Sequence, residues 1–543
     1  MSTTLERASA AVRSPQAGYR TLWRWHFYAG LFVMPFLIVL AITGTLYCFQ
    51  PQIEPLLYAH RLVVTPRATP ALDADTLLAR ARASLPDGAQ PVSAEIRRAL
   101  ERSAEFVFRL PGGRRESVYV DPYDGAVLGT LGVDDRFMQI VRMVHRKLLL
   151  GKPGELLMEL VACWTLVMIG TGVALWWPRE PDRARRRWWP DPRLRGRALW
   201  KSVHAWLGIW LAAGALGFVL SGLPWTGSWG QGFKAVAARV KLGSPPGAWG
   251  AGSLRSARPG AASAASDAPT TDAPPGARHH SAGAAAAMLG MVMDDLPVRL
   301  APWAVGQVPV PESAAAAPGA RPLTLDQAIA AMAAHGLTSG YTLVLPANPD
   351  GVYTASYFPA DPKAERTLSL DQYSGAVLRD IRYADYGAIA QGVSYGTSLH
   401  MGRYFGLANQ LICAALSLGL AAMAVSGFVM WWKRRPALKL GAPPRERRPP
   451  PMRAWIAGLV LLGSVFPLMG ASLVAVWLAD RLLFGRAARA GLMQAPPAPF
   501  DRRAGGSAGR PGGAPPPIDL PAPARHAGRP MSLHGAAQAD WQS

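Results

Sequence analysis

Four histidines recur at matched distances from a dipeptide of a hydroxyl residue and a glycine. The sets are His26 with Thr43-Gly44, His204 with Ser221-Gly222, His145 with Thr171-Gly172, and His400 with Ser426-Gly427. The step from histidine to glycine is the same in the first two sets, and a second, longer step is the same in the other two. Matched spacing of this kind predicts one structural unit used twice.

Imidazole is a common ligand of haem iron, and two imidazoles on facing helices can supply both axial nitrogens of one iron porphyrin. The step from His26 to Gly44 corresponds to ~27 Å of helix, nearly the hydrocarbon thickness of a bilayer. The histidines therefore divide between the two membrane faces. The predicted pairs are His26 with His204 at the inner face and His145 with His400 at the outer face. Residues expected to border a planar ring at the inner pair are Gly30, Gly208, Trp25, Phe27, Trp206 and Trp210.

A single histidine at the end of a span is commonly a polar anchor at the membrane interface. The shared register favours ligation for the set of four. The glycines near span ends are interpreted as helix-packing residues and the tryptophan pairs as interfacial anchors. Arg146, Lys147 and Lys152 are interpreted as interface charges, with contacts to haem propionates as the alternative. The histidines outside the register are interpreted as surface or linker residues: His60, His279, His280, His335, His526 and His534.

The elements that must position these histidines are membrane helices. Four apolar stretches are long enough to cross a hydrocarbon core of ~30 Å; they cover 25–48, 156–177, 205–223 and 407–432, and a fifth is predicted at 455–478. The first stretch is too long for a signal peptide and is interpreted as an uncleaved helix. Basic residues crowd beside the span ends, so the positive-inside rule places the N-terminal segment and two basic loops in the cytoplasm.

The two long connections on the other side each predict a small α+β module. Each ends in a hairpin, ESVYVDPYDGAVLGTL or RTLSLDQYSGAVLRDI, with Gly125 or Gly375 in the turn. A helical stretch capped by Asp or Thr precedes each hairpin, in ALDADTLLARARASL and LTLDQAIAAMAAHG. The predicted fold class is a membrane α-helical bundle of four core transmembrane helices plus a fifth, with two extracytoplasmic α+β modules, internally duplicated.

These patterns divide the chain into segments with different compositions. An insert in the second module and the C-terminal tail are rich in Ala, Pro, Gly and Ser, which predicts disorder. The predicted segments are a cytoplasmic N-terminus (1–24), helix 1 (25–48), module 1 (54–141), an interfacial segment with helix 2 (142–177), a basic loop (178–201), helix 3 (202–223), module 2 (224–397, insert 243–321), an interfacial segment with helix 4 (398–432), a basic loop (433–453), helix 5 (454–480) and a disordered tail (495–543).

The net charge of +22 does not indicate a nucleic-acid partner, because the basic residues lie beside span ends rather than along one soluble face. Cys48, Cys163 and Cys413 lie in or at the edge of apolar spans and far apart in sequence. The sequence therefore predicts neither a disulfide framework nor a thiolate metal cluster.

The motifs resemble those of the PepSY-associated transmembrane family, which includes the iron-regulated inner-membrane proteins of the PiuB type. They are WRWHFYAGLFVMPFLIVLAITG, VHRKLLLGKPGE with TGVALWWPR, SVHAWLGIWLAAGALGFVLSG, and LHMGRYFG with SGFVMWWKRR. The resemblance covers the four spans and both hairpin modules, roughly three quarters of the chain. It implies a di-haem reductase that releases iron from ferric siderophores on the periplasmic side of the bacterial inner membrane.

The spacing of the histidines thus predicts a di-haem b electron-transfer protein, and the resemblance implies that it reduces a ferric siderophore or similar ferric chelate. The chain carries no flavin or nicotinamide motif, so the electron donor is expected to be a separate cytoplasmic protein or a membrane quinol. Two alternatives stay open at this point: a non-enzymatic PepSY sensor or binding protein, and an iron-chelate permease. The scarcity of intramembrane carboxylates and paired broken helices disfavours the permease.

Overall fold

The computed structural model describes residues 18–97, 99–177, 188–245, 293, 297, 301–313, 320–436, 441–443 and 452–478. The predicted disordered tail, 495–543, lies outside these residues, as do residues 1–17 and part of each basic loop. The described helices are α1 (Tyr19–Cys48), α2 (Gln50–Leu57), α3 (Ala59–Leu62), α4 (Ala74–Ala83), α5 (Phe137–Lys147), α6 (Gly151–Trp176), α7 (Gly196–Gly222), α8 (Trp229–Arg239), α9 (Leu325–Ala334), α10 (Ala388–His400), α11 (Leu407–Trp432), α12 (Arg453–Val465) and α13 (Pro467–Leu478).

Four of these helices, α1, α6, α7 and α11, are long and apolar enough to cross a membrane. They confirm the four predicted spans, although α1, α6 and α7 begin earlier because the polar residues ahead of each apolar window continue the helix. α1 packs against α6 and α11, and α7 packs against the same two helices. The four therefore form a bundle in which α1 and α7 lie on one diagonal. Side chains buried between them include Ala29, Val33, Leu37, Val161, Val167 and Leu420.

The predicted fifth span, 454–480, does not form one membrane-crossing helix. α12 ends at Val465, and α13 begins at Pro467. The residue between them, Phe466, has φ −119° and ψ 90°, an extended conformation. Proline disfavours the helical conformation in the residue before it and lacks a backbone N–H, so the helix breaks here. Gly463 and Gly470 lie in close backbone contact across the break.

The sheet contains eight antiparallel strands: β1 (Gln90–Ile96), β2 (Ala104–Arg109), β3 (Arg115–Val120), β4 (Val127–Gly132), β5 (Tyr341–Val344), β6 (Val352–Tyr357), β7 (Arg366–Asp371) and β8 (Val377–Arg382). The strand order is β4-β3-β2-β1-β5-β6-β7-β8. The predicted hairpins are β3–β4 and β7–β8, and both helical stretches form, as α4 and α9. The structure differs from the prediction of two separate modules, because β1 pairs with β5 and makes one continuous sheet.

The N-termini of α4 and α9 cap each other. The Asp326 carboxylate accepts from the backbone N–H groups of Ala74 and Asp75, both at 2.9 Å. The Asp75 carboxylate accepts in return from the N–H groups of Leu325 and Asp326, at 2.8 and 3.1 Å. Both helices therefore have N–H groups of the first turn satisfied by a carboxylate from the other half of the chain.

We expect Asp75→Ala to destabilise the start of α9 and Asp326→Ala the start of α4, each by about 1–2 kcal/mol, since a lost cap has this effect on a helix. Hydrogen exchange measured by mass spectrometry should then be about five- to thirtyfold faster at the start of the helix opposite the substitution. Asp87→Ala, at an exposed turn residue, is the matched control and should leave exchange unchanged. Acceleration confined to the helix that carries the substitution would contradict reciprocal capping.

The prediction of disorder in the insert, 243–321, is wrong for residues 301–313. Trp303–Val305 forms a 3-10 turn whose side chains are buried. They pack with Ala237 of α8 and Ala390 of α10, and the Trp303 indole donates to the Pro224 carbonyl at 2.9 Å. The prediction averaged composition over the whole insert, and that average hid the apolar stretch APWAVGQVPV.

Candidate functional site

The structure brings the four histidines together in the predicted pairs. His26 of α1 and His204 of α7 have ring centroids 6.2 Å apart, with planes at 78°. His145 in the last turn of α5 and His400 at the end of α10 have centroids 6.4 Å apart, with planes at 88°. Burial and the facing His400 lower the pKa of His145 to about 3, and burial lowers the pKa of His400 to about 4. Both outer rings are therefore neutral near pH 7, the form that binds metal.

Each imidazole is held through Nδ1 by the hydroxyl residue of a repeated dipeptide. The partner always lies in the same half of the chain and on a different helix. The Nδ1-to-hydroxyl distances are 3.1 Å for His26 with Thr171, 2.9 Å for His145 with Thr43, 2.9 Å for His204 with Ser426 and 2.8 Å for His400 with Ser221.

The hydrogen-bond network assigns the tautomer of these rings. A backbone carbonyl can only accept, and Nδ1 of His26 lies 3.2 Å from the Met168 carbonyl, so Nδ1 carries the hydrogen. Nδ1 of His204 likewise lies 3.2 Å from the Met423 carbonyl oxygen and carries the hydrogen. The Thr43 hydroxyl donates to the Val39 carbonyl at 2.6 Å, so it accepts from Nδ1–H of His145. In each case Nε2 is left with the lone pair that a metal requires.

The glycine of each dipeptide lets the imidazole lie against the helix. A Cβ built at Gly172 would stand 3.2 Å from Cε1 of His26, and one at Gly44 would stand 3.4 Å from Cε1 of His145. The corresponding distances are 3.4 Å from Gly427 to His204 and 3.7 Å from Gly222 to His400. These glycines were interpreted from sequence as helix-packing residues. Their repeated spacing with a hydroxyl residue was the signal for their part in holding the rings.

A cavity surrounds each histidine pair. The inner cavity has a volume of about 390 Å³ and the outer one about 300 Å³, within the range of small-molecule and cofactor sites. The inner walls are largely apolar. Gly30, Gly208 and Phe27 line them as predicted, whereas the predicted Trp25, Trp206 and Trp210 are not among the lining residues. Polar residues of the outer wall include Tyr47, Arg142, Arg146, Glu155 and Thr397.

Arginine and lysine side chains line the inner cavity near the cytoplasmic ends of the helices. They are Arg197, Lys201 and Arg434. The Arg434 guanidinium lies 4.8 Å from the Trp23 ring centre and 5.1 Å from that of Phe27. Burial, and then the neighbouring Arg197, lower the pKa of Arg434. Like charges held together in this way favour an anionic ligand.

The basic residues beside His145 divide between two roles. Lys147 and Lys152 both lie 3.5 Å from the Glu155 carboxylate, as ordinary ion pairs. Arg146 lines the outer cavity and donates to the Trp225 carbonyl at 3.2 Å. The alternative interpretation from sequence was that these residues contact haem propionates. Of the three, only Arg146 is positioned for that contact.

One layer of side chains separates the two cavities. Four residues line both of them, one from each helix of the bundle: Leu37, Thr165, Ala215 and Leu420. They occupy matching positions in the repeat. The residues of α1 and α7 follow the inner histidines by equal steps, and those of α6 and α11 follow the outer histidines by equal steps. The two sites therefore lie in series along the bundle axis with a thin, mainly apolar partition.

The donor set fits a macrocycle-bound metal better than a bare ion. Among the described residues, no group of three or more His, Cys, Asp or Glu is arranged to hold a metal ion. Two imidazoles per cavity could provide only axial ligands. Metal–imidazole bonds of about 2.0–2.1 Å to both sides of one metal, extended to the ring centres, correspond to a centroid separation of about 6 Å. Both observed separations are close to this value.

The protein-family model of the PepSY-associated transmembrane region matches residues 23–434 of the chain. The chain belongs to the PepSY-associated transmembrane family. The match spans all four bundle helices, the whole sheet and the four histidines with their hydroxyl partners. No curated protein matches this PepSY-associated transmembrane protein. Ligation of a metal by its histidines remains a prediction at this point.

Proposed function

We propose that this PepSY-associated transmembrane protein binds two b-type haems and passes electrons across a bacterial inner membrane to a ferric chelate. The observation that carries the proposal is the paired geometry of the histidines. Nδ1 is engaged on every ring, and both ring separations suit two nitrogens on one metal. His26 with His204 would hold the inner haem, and His145 with His400 the outer one.

Haem b, when bound in each cavity, supplies one-electron exchange between Fe(III) and Fe(II). The protein's own residues fix where that exchange occurs. The four hydroxyls set the ring angles, because a ligand whose second nitrogen is hydrogen bonded has a fixed orientation and higher basicity. Arg197, Lys201 and Arg434 at the inner cavity, and Arg142 with Arg146 at the outer one, would pair with carboxylates of the cofactor.

The partition between the cavities supports an electron path rather than a solute path. Leu37, Ala215 and Leu420 contribute only apolar side chains. The Thr165 hydroxyl donates to the Val161 carbonyl at 2.8 Å and so is satisfied within its own helix. A single apolar layer excludes water and ions while keeping two cofactor sites close together.

The orientation of the chain in the membrane follows from charge. The first turn of α7 and the segments that follow α6 and α11 carry many Arg and Lys residues, which the positive-inside rule assigns to the cytoplasm. The sheet then lies on the periplasmic side, next to the His145–His400 pair. The ferric siderophore or similar ferric chelate would accept one electron there, and Fe(II) would be released because oxygen chelators bind it more weakly than Fe(III).

The visible spectrum of the detergent-purified protein tests this function directly. We expect a Soret band, and about two haem b groups per chain by pyridine haemochrome assay, since each pair of imidazoles takes one porphyrin. Dithionite-reduced protein should be reoxidised on addition of a ferric hydroxamate chelate, with ferrous iron trapped by ferrozine. Protein that is folded and free of haem after expression with added haem precursor would overturn the proposal.

A further inference from the structure

Two cysteines meet at the outer end of the bundle. Cys48 is the last residue of α1, and Cys413 lies in the second turn of α11. Their thiols interact with each other and contact neighbouring carbonyls of one turn, although the two cysteines belong to opposite halves of the chain. Both are buried, at 5 % and 3 % exposure. The structure has both as free thiols.

Both thiols also contact the last turn of α10, which carries His400. Cys413 Sγ donates to the Leu399 carbonyl at 3.2 Å, and Cys48 Sγ lies 3.9 Å from the His400 carbonyl. The last carbonyls of a helix have no partner within it, so the thiols serve as donors for two of them. Gly402, at φ +70°, follows directly, and a Cβ there would stand 3.4 Å from Cβ of Cys48.

We propose that Cys48 and Cys413 form a redox-controlled pair that closes to a disulfide and shifts the turn carrying His400. On closure the two thiols lose two electrons and two protons as the S–S bond forms. A small disulfide on the extracytoplasmic side accepts the two electrons and two protons and is cleaved to two thiols. The S–S bond of about 2.05 Å is shorter than any non-bonded contact between two thiols, so closure turns both sulfurs toward each other and away from the Leu399 and His400 carbonyls.

A disulfide has no S–H to donate, so both carbonyls lose a thiol donor on closure. The loss affects the His400 carbonyl more than the Leu399 carbonyl. The Leu399 carbonyl keeps the Asn409 amide at 3.0 Å and the Gly402 N–H at 3.1 Å. The His400 carbonyl loses the Cys48 thiol. The His400 ring is fixed by Ser221 on a different helix, so a moved backbone changes the ring's angle. This effect on the outer haem rests on the proposed function, whereas formation of the bond does not.

The bond is tested by counting thiols in membranes that contain the full-length chain. Samples are treated with diamide or dithiothreitol, denatured, and alkylated with a maleimide polymer that retards the protein on a gel. We expect three labels after reduction and one, on Cys163, after diamide. Cys163→Ser should then carry none after diamide, and Cys48→Ser should keep two. Three labels on the diamide-treated protein, or a disulfide-linked dimer in place of an internal bond, would overturn the proposal.

The coupling to His400 is tested by redox titration of the purified protein. We expect diamide to shift the midpoint potential of one haem in the wild type and in Cys163→Ser, and to have no effect in Cys48→Ser or Cys413→Ser. A bond that forms without this shift refutes control of His400. Protein without haem would refute the proposed function. The number of labelled thiols would still show whether the disulfide forms.

Discussion

His145→Ala and His400→Ala should each remove the outer haem and leave the inner one. The bundle places both imidazoles in one cavity, 6.4 Å apart, and a porphyrin iron that loses one of two axial nitrogens in a membrane cavity is held much more weakly. The haemochrome assay should therefore fall to about half its wild-type value in either variant. Reduction of an external ferric chelate should be lost, because no cofactor then lies on the periplasmic side.

His26→Ala should have the complementary effect, with the outer haem retained and its reduction from the cytoplasmic side abolished. His60→Ala is the matched control, since His60 lies exposed on α3 outside both cavities and its loss should change neither haem. The spectra also separate the alternatives suggested by the sequence. If His145→Ala and His400→Ala both retain the full haem content, the histidines are not the ligands.

The sequence predicted the membrane helices and the pairing of histidines because both depend on regular spacing. The rise per residue of a helix is constant, so the position of a histidine along a span gives it a defined depth whatever its neighbours do. Equal spacings in the two halves then place His26 level with His204, and His145 level with His400. The caps at Asp73 and Thr324 were predictable for a local reason too, and both side chains accept from the first turn of their helix.

Contacts between distant parts of the chain could not be read in this way. Pairing of β1 with β5 depends on two edge strands from different halves, and neither strand carries a local signal for its partner. The meeting of Cys48 with Cys413 depends on how α1 and α11 pack. The break at Phe466 did have a local signal in Pro467, but the apolar length of the segment outweighed it in the prediction.

The hydroxyl–glycine dipeptides lie between these two cases. Their spacing was visible, but their function depends on the antiparallel packing of α1 with α6 and of α7 with α11. That packing brings Thr171-Gly172 to His26 and Thr43-Gly44 to His145. In each half, the second bundle helix carries the dipeptide that holds the histidine of the first, and the first carries the dipeptide that holds the histidine of the short helix before the second.

Gly172→Val should therefore abolish the inner haem without any change to its ligands. Even a Cβ at this position would lie 3.2 Å from Cε1 of His26, and the two methyl groups of valine need space that the imidazole occupies. The ring must move off the Thr171 hydroxyl and turn its Nε2 away from the cavity axis. We expect about half of the haem to be lost by the haemochrome assay, with the remaining haem showing the outer site's spectrum.

Gly170→Val is the matched control, because it places the same side chain on the same helix, one position before Thr171, where nothing lies within 4 Å of a Cβ. It carries the same loss of glycine from a helix, so any general effect on α6 should appear in both variants. Equal haem loss in the two would mean that α6 merely tolerates no valine there. Loss in Gly172→Val alone ties the inner site to the contact between this glycine and the His26 ring.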